Sequence, residues 1–179
     1  MVLKSYAKIN LTLSVNKKLK SGLHNIQSIY CLVNLHDKIF LKKIKKKNFD
    51  QVSFTGPFSK DINKSNNSVK KVLNAMRKNK IINDYYDVKV NKKIPVFAGL
   101  GGGTSNAATI LKHLTKKDLN KKTLSKITKE VGSDFRLFFH NQGYQKNLKS
   151  VIKFNKKHKL YFLLIYPKVK SSTKSVYAK

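Results

Sequence analysis

Residues 94–108 have the sequence IPVFAGLGGGTSNAA, in which four of the five residues 99–103 are glycine. Glycine has no Cβ atom and adopts positive φ angles easily, so this loop can bring its backbone N–H groups close to a bulky anion. The loop leads into a segment where Ala107, Ile110 and Leu114 lie at helical spacing. Because a helix N-terminus favours anions, the sequence predicts a phosphate-binding loop at the start of a helix.

The glycine spacing differs from that of the commonest nucleotide-binding loops. It lacks the Gly-Lys-Ser/Thr ending of a P-loop, and the surroundings of a Rossmann dinucleotide-binding turn are missing. Thr104 and Ser105 add hydroxyls that can cap the helix, or reach a phosphate or its Mg²⁺. The alternative is a turn that only lets a strand and a helix pack closely, but one or two glycines would serve that purpose.

The chain has 179 residues, which is enough for one domain with a hydrophobic core, and a formal net charge of +31. Such a charge attracts nucleic acids and anionic membrane surfaces. However, only Arg77 and Arg136 are arginines, the residue that base and phosphate recognition favours. The lysines are spread along the whole chain, as a coding bias toward lysine would produce. We therefore expect no nucleic-acid partner, and a basic RNA-binding domain is kept as the alternative from another class.

The cysteine content and the lengths of the apolar runs indicate in which cellular compartment the protein is expected. Cys31 is the only cysteine, which excludes an internal disulfide and favours a reducing environment. The first residues lead straight into a strand-like pattern without the apolar core of a signal peptide, and no apolar run approaches membrane-spanning length. We expect a cytoplasmic protein without a membrane partner, as a monomer or weak dimer.

Several segments have the patterns of β-strands. Apolar and polar residues alternate over residues 7–15, which predicts one half-buried strand. A second β region covers about 26–44, with an interruption at 34–37 that can divide it into two strands. Residues 85–90 predict another strand, and the apolar run 160–166 predicts a buried one.

Helical spacing is found in three places. Residues 68–79 predict an amphipathic helix, with capping side chains at 66–68 just before it. A second helix follows the glycine loop, and Thr104 or Ser105 is placed to cap its start. A third is predicted at 123–131, where Gly132 ends it.

Four stretches resemble the GHMP kinases, a family named for galactose, homoserine, mevalonate and phosphomevalonate. Residues 94–108 resemble the family's phosphate-binding motif. The sequence AKINLTL at 7–13, followed by SGLH at 21–24, resembles its opening motif and its Gly-Tyr-His element. The sequence GSDFRLFF at 132–139 resembles its Gly-x-Asp-Val-Pro-x-Phe segment, and STKSVY at 172–177 resembles the segment that carries an aromatic residue for the cytidine.

This resemblance implies an α+β fold: a mixed sheet packed by helices, of the ribosomal protein S5 domain 2-like kind. It further implies a GHMP kinase N-terminal ATP-binding domain at residues 1–155, and at 156–179 the start of the connection to a C-terminal domain that is largely absent. In the family that domain carries another glycine-rich loop, which closes over the substrate. We therefore expect a fragment; an enzyme that needs a partner, or an inactive chain, are the alternatives.

Within the family, the triple glycine is most similar to one branch. That branch uses ATP to phosphorylate the 2-hydroxyl of 4-diphosphocytidyl-2-C-methyl-D-erythritol in the non-mevalonate isoprenoid pathway, giving the 2-phosphate and ADP. The resemblance thus implies an ATP-dependent small-molecule kinase, with ATP and Mg²⁺ as cofactors and a cytidine diphosphate-linked methylerythritol as substrate. A kinase of the same family that acts on a sugar, homoserine or mevalonate is the alternative, against which His24 and the triple glycine speak.

The family match also names two catalytic positions. In the GHMP kinases an aspartate and a lysine face the substrate hydroxyl, and the matching residues here are Asp134 and Lys8. Phosphoryl transfer needs alignment and charge neutralisation more than covalent chemistry. The resemblance implies that Asp134 accepts or steers the proton and that Lys8 keeps Asp134 ionised. From the residues alone, Lys8 can be a solvated lysine and Asp134 a helix cap.

The resemblance assigns binding roles to two further sets of residues. The substrate-binding set, in which His24 bonds the cytosine edge and Tyr177 stacks on the ring, is Asn10, His24, Thr173 and Tyr177. The ATP-binding set is Asn66, Asn67, Pro95, Ala98, Gly99, Leu100, Gly101, Gly102, Gly103, Thr104 and Ser105. No dedicated protein cage for a metal is expected, since Mg²⁺ would bind through ATP, with Thr104 or Ser105 as the candidate hydroxyl.

Some of these positions have simpler explanations, and some of the chain departs from the family's pattern. His24 can be a core histidine, and Asn66 and Asn67 can be helix caps. Leu23 stands where the family usually has a tyrosine, and residues 135–136 are Phe-Arg where it has Val-Pro. Residues 144–151 lack the glycine and glutamate that the family usually carries there.

Overall fold

The computed structural model describes residues 2–19, 22, 24–45, 48–115, 119–156 and 158–167, which form a mixed β-sheet packed by helices. The strands are β1 (Val2–Asn10), β2 (Ser14–Lys18), β3 (His24–Ile44), β4 (Gln51–Thr55), β5 (Tyr85–Asn91), β6 (Gln142–Asn147) and β7 (Ser150–Lys153). The helices are α1 (Ser68–Lys78), α2 (Gly102–Leu114) and α3 (Lys121–Val131), and a 3₁₀ segment covers Ser133–Phe139. This is the fold class that the sequence predicts.

The 21-residue strand β3 organises the sheet. It pairs antiparallel with β1, β2, β5 and β6, and the strand order along the sheet is β4-β5-β3-β6-β7. β4 is the parallel neighbour of β5, and β7 lies antiparallel to β6. Because β1 and β6 both lie beside β3, residues that are far apart in sequence meet on one surface of the sheet.

Three of the strand predictions need correction, and the first two concern β1 to β3. The predicted single strand at 7–15 is divided, because the N–H groups of Leu11 and Thr12 both donate to the carbonyl of Ile29 and interrupt the ladder between β1 and β2. Leu11, Leu13 and Val15 are each more than 40% exposed, so this part isn't half-buried. The predicted interruption at 34–37 is a β-bulge inside a continuous β3, where the register with β1 shifts.

The predicted buried strand at 160–166 is wrong. None of the described strands pairs with this segment, and Tyr161, Leu163 and Ile165 are more than 80% exposed. The side-chain amide of Gln142 bonds the main chain of His158 just before the segment. A continuous apolar run has no alternation of apolar and polar residues that would indicate a half-buried strand. Its assignment to the sheet therefore depended on a partner strand, which the sequence does not specify.

The helices follow the predicted pattern closely. Asn67 caps α1 by accepting a hydrogen bond from the N–H of Lys70 at 3.0 Å, and Asn120 caps α3 through the N–H of Thr123 at 2.8 Å. Gly132 ends α3, as predicted. Their apolar faces pack against the sheet in a core that includes Ile39, Val69, Val72, Leu73, Met76, Val88, Val90, Ala108, Ile110, Leu111 and Ile127. In the described part of the chain no helix is long and apolar enough to cross a membrane.

A buried ion pair joins the middle of the sheet to the segment that enters the glycine loop. Asp37 of β3 and Lys92, just after β5, are 0% and 2% exposed, and the Lys92 ammonium donates to Asp37 Oδ2. Asp37 Oδ1 accepts the N–H groups of Lys93 at 2.7 Å and Ile94 at 2.9 Å. Burial lowers the pKa of Lys92, while the Asp37 carboxylate acts in the opposite direction. One carboxylate therefore fixes both the lysine and the backbone turn.

Replacing this carboxylate should destabilise the protein strongly. In Asp37→Ala the Lys92 ammonium would be buried without its counter-ion, and two backbone N–H groups would lose their acceptor. We expect the free energy of unfolding to fall by about 3–5 kcal/mol, as measured by urea denaturation.

The matched control is Glu130→Ala, which removes a pair with Lys78 whose side chains are 37% and 69% exposed. Exposed pairs contribute little to stability, so this variant should unfold like the unaltered protein. Equal effects of the two substitutions would show that burial doesn't strengthen the Asp37 contacts.

Candidate active site

The glycine loop has an unusual backbone conformation. Three of its residues have positive φ angles: Phe97 at 61°, Gly99 at 71° and Gly101 at 66°. Gly101 is the N-cap residue of α2 and makes no side-chain cap. The carbonyl of Leu100 accepts a hydrogen bond from the N–H of Lys8 at 3.0 Å, so β1 holds the loop in place.

The glycines serve two different purposes. A Cβ atom on Gly101 would lie 2.7 Å from Cζ of Phe138, and one on Gly102 would lie 3.0 Å from Cγ2 of Ile94. Close packing therefore explains these two glycines. A Cβ atom on Gly99 would meet nothing within 4 Å, so its positive φ angle is the constraint there.

The start of α2 presents backbone N–H groups, but neither of the two predicted capping residues caps the helix. Thr104 and Ser105 lie inside the helix, so the prediction that one of them caps it is wrong. The first helical bond runs from the N–H of Ser105 to the carbonyl of Gly101 at 2.8 Å. The N–H groups of residues 102–104 precede that bond and belong to the unpaired set at a helix N-terminus, which suits an anion.

Ser105 must also be removed from the set of ATP-binding side chains. It is 2% exposed, and its hydroxyl donates to the carbonyl of Tyr6 at 2.6 Å. The same oxygen accepts a hydrogen bond from Ser5 at 2.8 Å. Ser105 therefore anchors α2 to β1, and Thr104 is left as the hydroxyl that borders the cleft.

Lys8 and Asp134 come together although they are 126 positions apart. The Nζ atom of Lys8 lies 3.4 Å from Oδ2 of Asp134 and donates to Oδ1 of Asn10 at 3.1 Å. The Lys8 side chain is 4% exposed, whereas that of Asp134 is 33% exposed. Asn10 also accepts a hydrogen bond from Ser28 at 3.1 Å. The pair thus combines a fixed, buried ammonium with a carboxylate that remains accessible from the cleft.

The glycine loop and the Lys8–Asp134 pair border one cleft of about 1670 Å³. Single small-molecule sites usually measure about 300–1,000 Å³, so this cleft has room for two ligands side by side. The sequence-predicted residues that line it are Lys8, Asn10, His24, Asn66, Asn67, Pro95, Ala98, Gly99, Leu100, Gly101, Gly102, Gly103, Thr104 and Asp134. Thr173, Tyr177 and Leu23 lie outside the described residues.

Asn67, Asn66 and His24 have different surroundings in the structure. The side chain of Asn67 caps α1, and its amide donates to the carbonyls of Asn63 and Lys64 at 3.2 and 3.3 Å. Asn66 is exposed at the rim of the cleft. His24 begins β3 at a partly buried position on the cleft, so it isn't a core histidine.

The structure adds residues that sequence reasoning missed. Lys92 reaches the cleft beneath α2, and Tyr166 lines it with its ring in edge contact with Phe58 at 5.6 Å between centroids. Gln145 of β6 is 2% exposed and also borders the cleft. β6 has the sequence QGYQKN, which lacks an apolar alternation, so no pattern marked its inward face.

Residues 67–140 match the family described as GHMP kinases N terminal domain. The 4-diphosphocytidyl-2-C-methyl-D-erythritol kinase of Pelagibacter ubique is 38% identical over 187 residues, covering 99% of this chain and 64% of that protein. The enzyme of the same name from Persephonella marina is 33% identical, covering 99% and 65%. The chain therefore spans about 64–65% of the length of these two relatives.

Solved structures show the same fold. A crystal structure of 4-(cytidine 5'-diphospho)-2C-methyl-D-erythritol kinase superposes with a TM-score of 0.66 at 21% identity, covering 99% of this chain and 63% of that one. The mevalonate pyrophosphate decarboxylase of Streptococcus pyogenes superposes with a TM-score of 0.56 at 17% identity, covering 80% and 46%. At these identities the likeness concerns the fold.

The two roles of the loop glycines can be separated by mutation. Gly99→Ala adds only the strain of a positive φ angle, about 1–2 kcal/mol. Gly101→Ala adds the same strain and a clash with Phe138, so its loss of unfolding free energy in urea should be clearly larger.

A double-mutant cycle with Phe138→Leu supplies the control. If the clash is real, Gly101→Ala should cost less in the Phe138→Leu background, whereas the cost of Gly99→Ala should be unchanged. Identical costs of Gly101→Ala in both backgrounds would contradict the packing argument.

Proposed function

We propose that the chain, of which residues 67–140 match the GHMP kinases N terminal domain, transfers the γ-phosphoryl group of ATP to the 2-hydroxyl of 4-diphosphocytidyl-2-C-methyl-D-erythritol. The observation that carries the proposal is the Lys8–Asp134 pair, 3.4 Å apart, on the same cleft as the glycine loop. The names of the relatives support this substrate, and the non-mevalonate isoprenoid pathway as its setting.

ATP would bind with its phosphates against the glycine loop. The N–H groups of residues 102–104 and the positive end of α2 supply favourable interactions for an anion. Gly99, with its open Cβ direction, leaves space for the phosphate chain. Asn66, at the rim beside α1, is placed for the nucleoside.

The cleft also suits a magnesium ion that arrives with the nucleotide. Mg²⁺ prefers oxygen ligands and is usually held by one or two protein groups together with phosphates. The Thr104 hydroxyl is the side-chain oxygen beside the glycine loop that would hold it here, together with the phosphates. When bound, Mg²⁺ would neutralise charge on the transferring phosphoryl group.

Asp134 and Lys8 would divide the chemistry at the acceptor hydroxyl. As the oxygen–phosphorus bond forms and the bond to ADP breaks, the hydroxyl proton passes to the accessible Asp134 carboxylate. Lys8 lies on the buried side of that carboxylate, where its charge would stabilise the attacking oxygen. Asn10 fixes the position of the lysine through its side-chain oxygen.

The rest of the substrate would lie away from the loop. We assign His24 to the cytosine edge and Asn10 to the cleft wall, with Thr173 and Tyr177 as further contacts. Residues 1–155 would form the ATP-binding domain and residues 156–179 the connection to a second domain. Because both substrates are small and diffusible, the reaction needs neither a membrane nor a nucleic acid, and we place it in the cytoplasm with the chain as a monomer or weak dimer.

Release of ADP by the purified chain, with Mg-ATP and the proposed substrate, tests this function. Asp134→Asn should lower the rate by about 10²–10⁴-fold, because the hydroxyl proton loses its acceptor. Glu130→Gln, a carboxylate-to-amide change at an exposed position on α3, should leave the rate unchanged.

Binding measurements separate the ways in which the proposal can fail. Mevalonate, homoserine and galactose should give no turnover, and turnover of one of them instead would reassign the substrate. Absence of ATP binding would overturn the role of the glycine loop. Salt-sensitive RNA binding without nucleotide turnover would favour an RNA-binding domain instead.

A further inference from the structure

Phe97, two residues before the first glycine of the loop, has a backbone conformation that its residue type disfavours. Its φ angle is 61°, and a positive φ angle is an outlier for a bulky residue. The other non-glycine residue with a positive φ angle in the described part of the chain is Lys80, at 55°. Lys80 follows the C-cap residue of α1, where the N–H of Ile81 bonds the carbonyl of Met76 and closes the helix. A helix end therefore explains Lys80, but not Phe97.

The Phe97 ring is also largely outside the hydrophobic core. It is 55% exposed and borders the cleft. Single exposed apolar side chains are common on protein surfaces, so this exposure alone has no functional meaning. Here, however, the exposed ring belongs to a turn at 96–97, where glycine would fit without strain. Neither packing nor backbone geometry thus explains an aromatic residue at this position.

A ligand in the cleft accounts for both features. Strained backbone conformations concentrate at functional sites, where the surrounding structure holds them in place. The chain passes from Phe97 through Ala98 into the glycine loop, and Pro95 and Val96 border the same cleft. An exposed aromatic ring beside a phosphate-binding loop suits the flat part of a nucleotide, because every base has a π-face that stacks on aromatic side chains.

We propose that Phe97 binds ATP by stacking its ring on the adenine base. The assignment rests on the proposed function, and it adds a contact to the base to the phosphate contacts of the glycine loop. The base is adenine rather than cytosine, because Phe97 directly precedes the loop that would hold the ATP phosphates. His24, which we assign to cytosine, lies instead at the start of β3.

Calorimetric titration of the full chain with Mg-ATP tests this contact in two variants. Phe97→Leu keeps an apolar side chain but removes the flat ring, so ATP should bind about tenfold more weakly than to the unaltered chain. Phe97→Tyr keeps the ring, and its ATP affinity should stay within about twofold of that of the unaltered chain. Cytidine diphosphate should bind equally to the unaltered chain and to both variants.

Thermal unfolding without ligands distinguishes a binding role from a structural one. Glycine relieves the unfavourable backbone conformation, so the melting temperature of Phe97→Gly should equal or exceed that of the unaltered chain, while its ATP affinity falls as in Phe97→Leu. The matched control is Lys80→Gly, the same change at an exposed residue that does not line the cleft. It should likewise not lower the melting temperature, and ATP should bind to it as to the unaltered chain.

Three results would overturn the inference and leave the proposed function standing. The first is an ATP affinity that is unchanged in Phe97→Leu, or reduced equally in Phe97→Leu and Phe97→Tyr. The second is weaker binding of cytidine diphosphate, since the ring would then contact the other base. The third is a lower melting temperature of Phe97→Gly, which would show that the ring supports the fold.

The unaltered chain is the reference for the proposed function itself. If it does not bind ATP, the role of the glycine loop is overturned, and the assignment of Phe97 is overturned with it. If it binds ATP, the comparison between the leucine and tyrosine variants decides the role of Phe97 alone, whatever the rate of ADP release.

Discussion

The ion pair between Asp37 and Lys92 determines where the glycine loop lies. Asp37 sits in the central strand β3, and its carboxylate bonds the lysine and two successive backbone N–H groups at the point where the chain leaves β5. The loop begins directly after this turn and ends at Gly101, where Phe138 leaves no space for a Cβ atom. Its two ends are therefore fixed by one electrostatic contact and one steric contact, while β1 bonds Leu100 between them.

Two nearly buried lysines of the cleft differ from most lysines of the chain, because each has a carboxylate partner. The net charge of +31 comes from lysines that are mostly at the surface. Lys8 and Lys92, both nearly buried, each have a carboxylate partner. In the proposed function, backbone N–H groups and the helix dipole attract phosphate at the loop; both are fixed in direction and need no side-chain ordering. Surface lysines can speed the approach of anions, but their contribution is screened by salt.

Local patterns in the sequence predicted the elements whose stabilising contacts are local. The helices at 68–79 and 123–131 have their own caps and apolar faces, so they were recognised with nearly correct ends. The run at 160–166 was misassigned because its apolar residues depend on a strand partner that no local pattern specifies. Ser105 was misassigned for a related reason: its hydroxyl bonds Tyr6 and Ser5 of β1, about 100 positions away. The family resemblance, rather than any local pattern, predicted that Lys8 and Asp134 lie in one site.

Several residues around the cleft have a backbone conformation or a degree of burial that is unfavourable for folding. Phe97 has a positive φ angle although it isn't glycine, and Lys8 is buried. Each is unfavourable by itself, and strained or unsatisfied groups of this kind concentrate at functional sites. The compensating contacts lie elsewhere, in the apolar faces of the helices against the sheet. A rigid core on one side thus allows the cleft to keep polar groups oriented for a ligand, and a substrate that completes their hydrogen bonds would stabilise the fold as it binds.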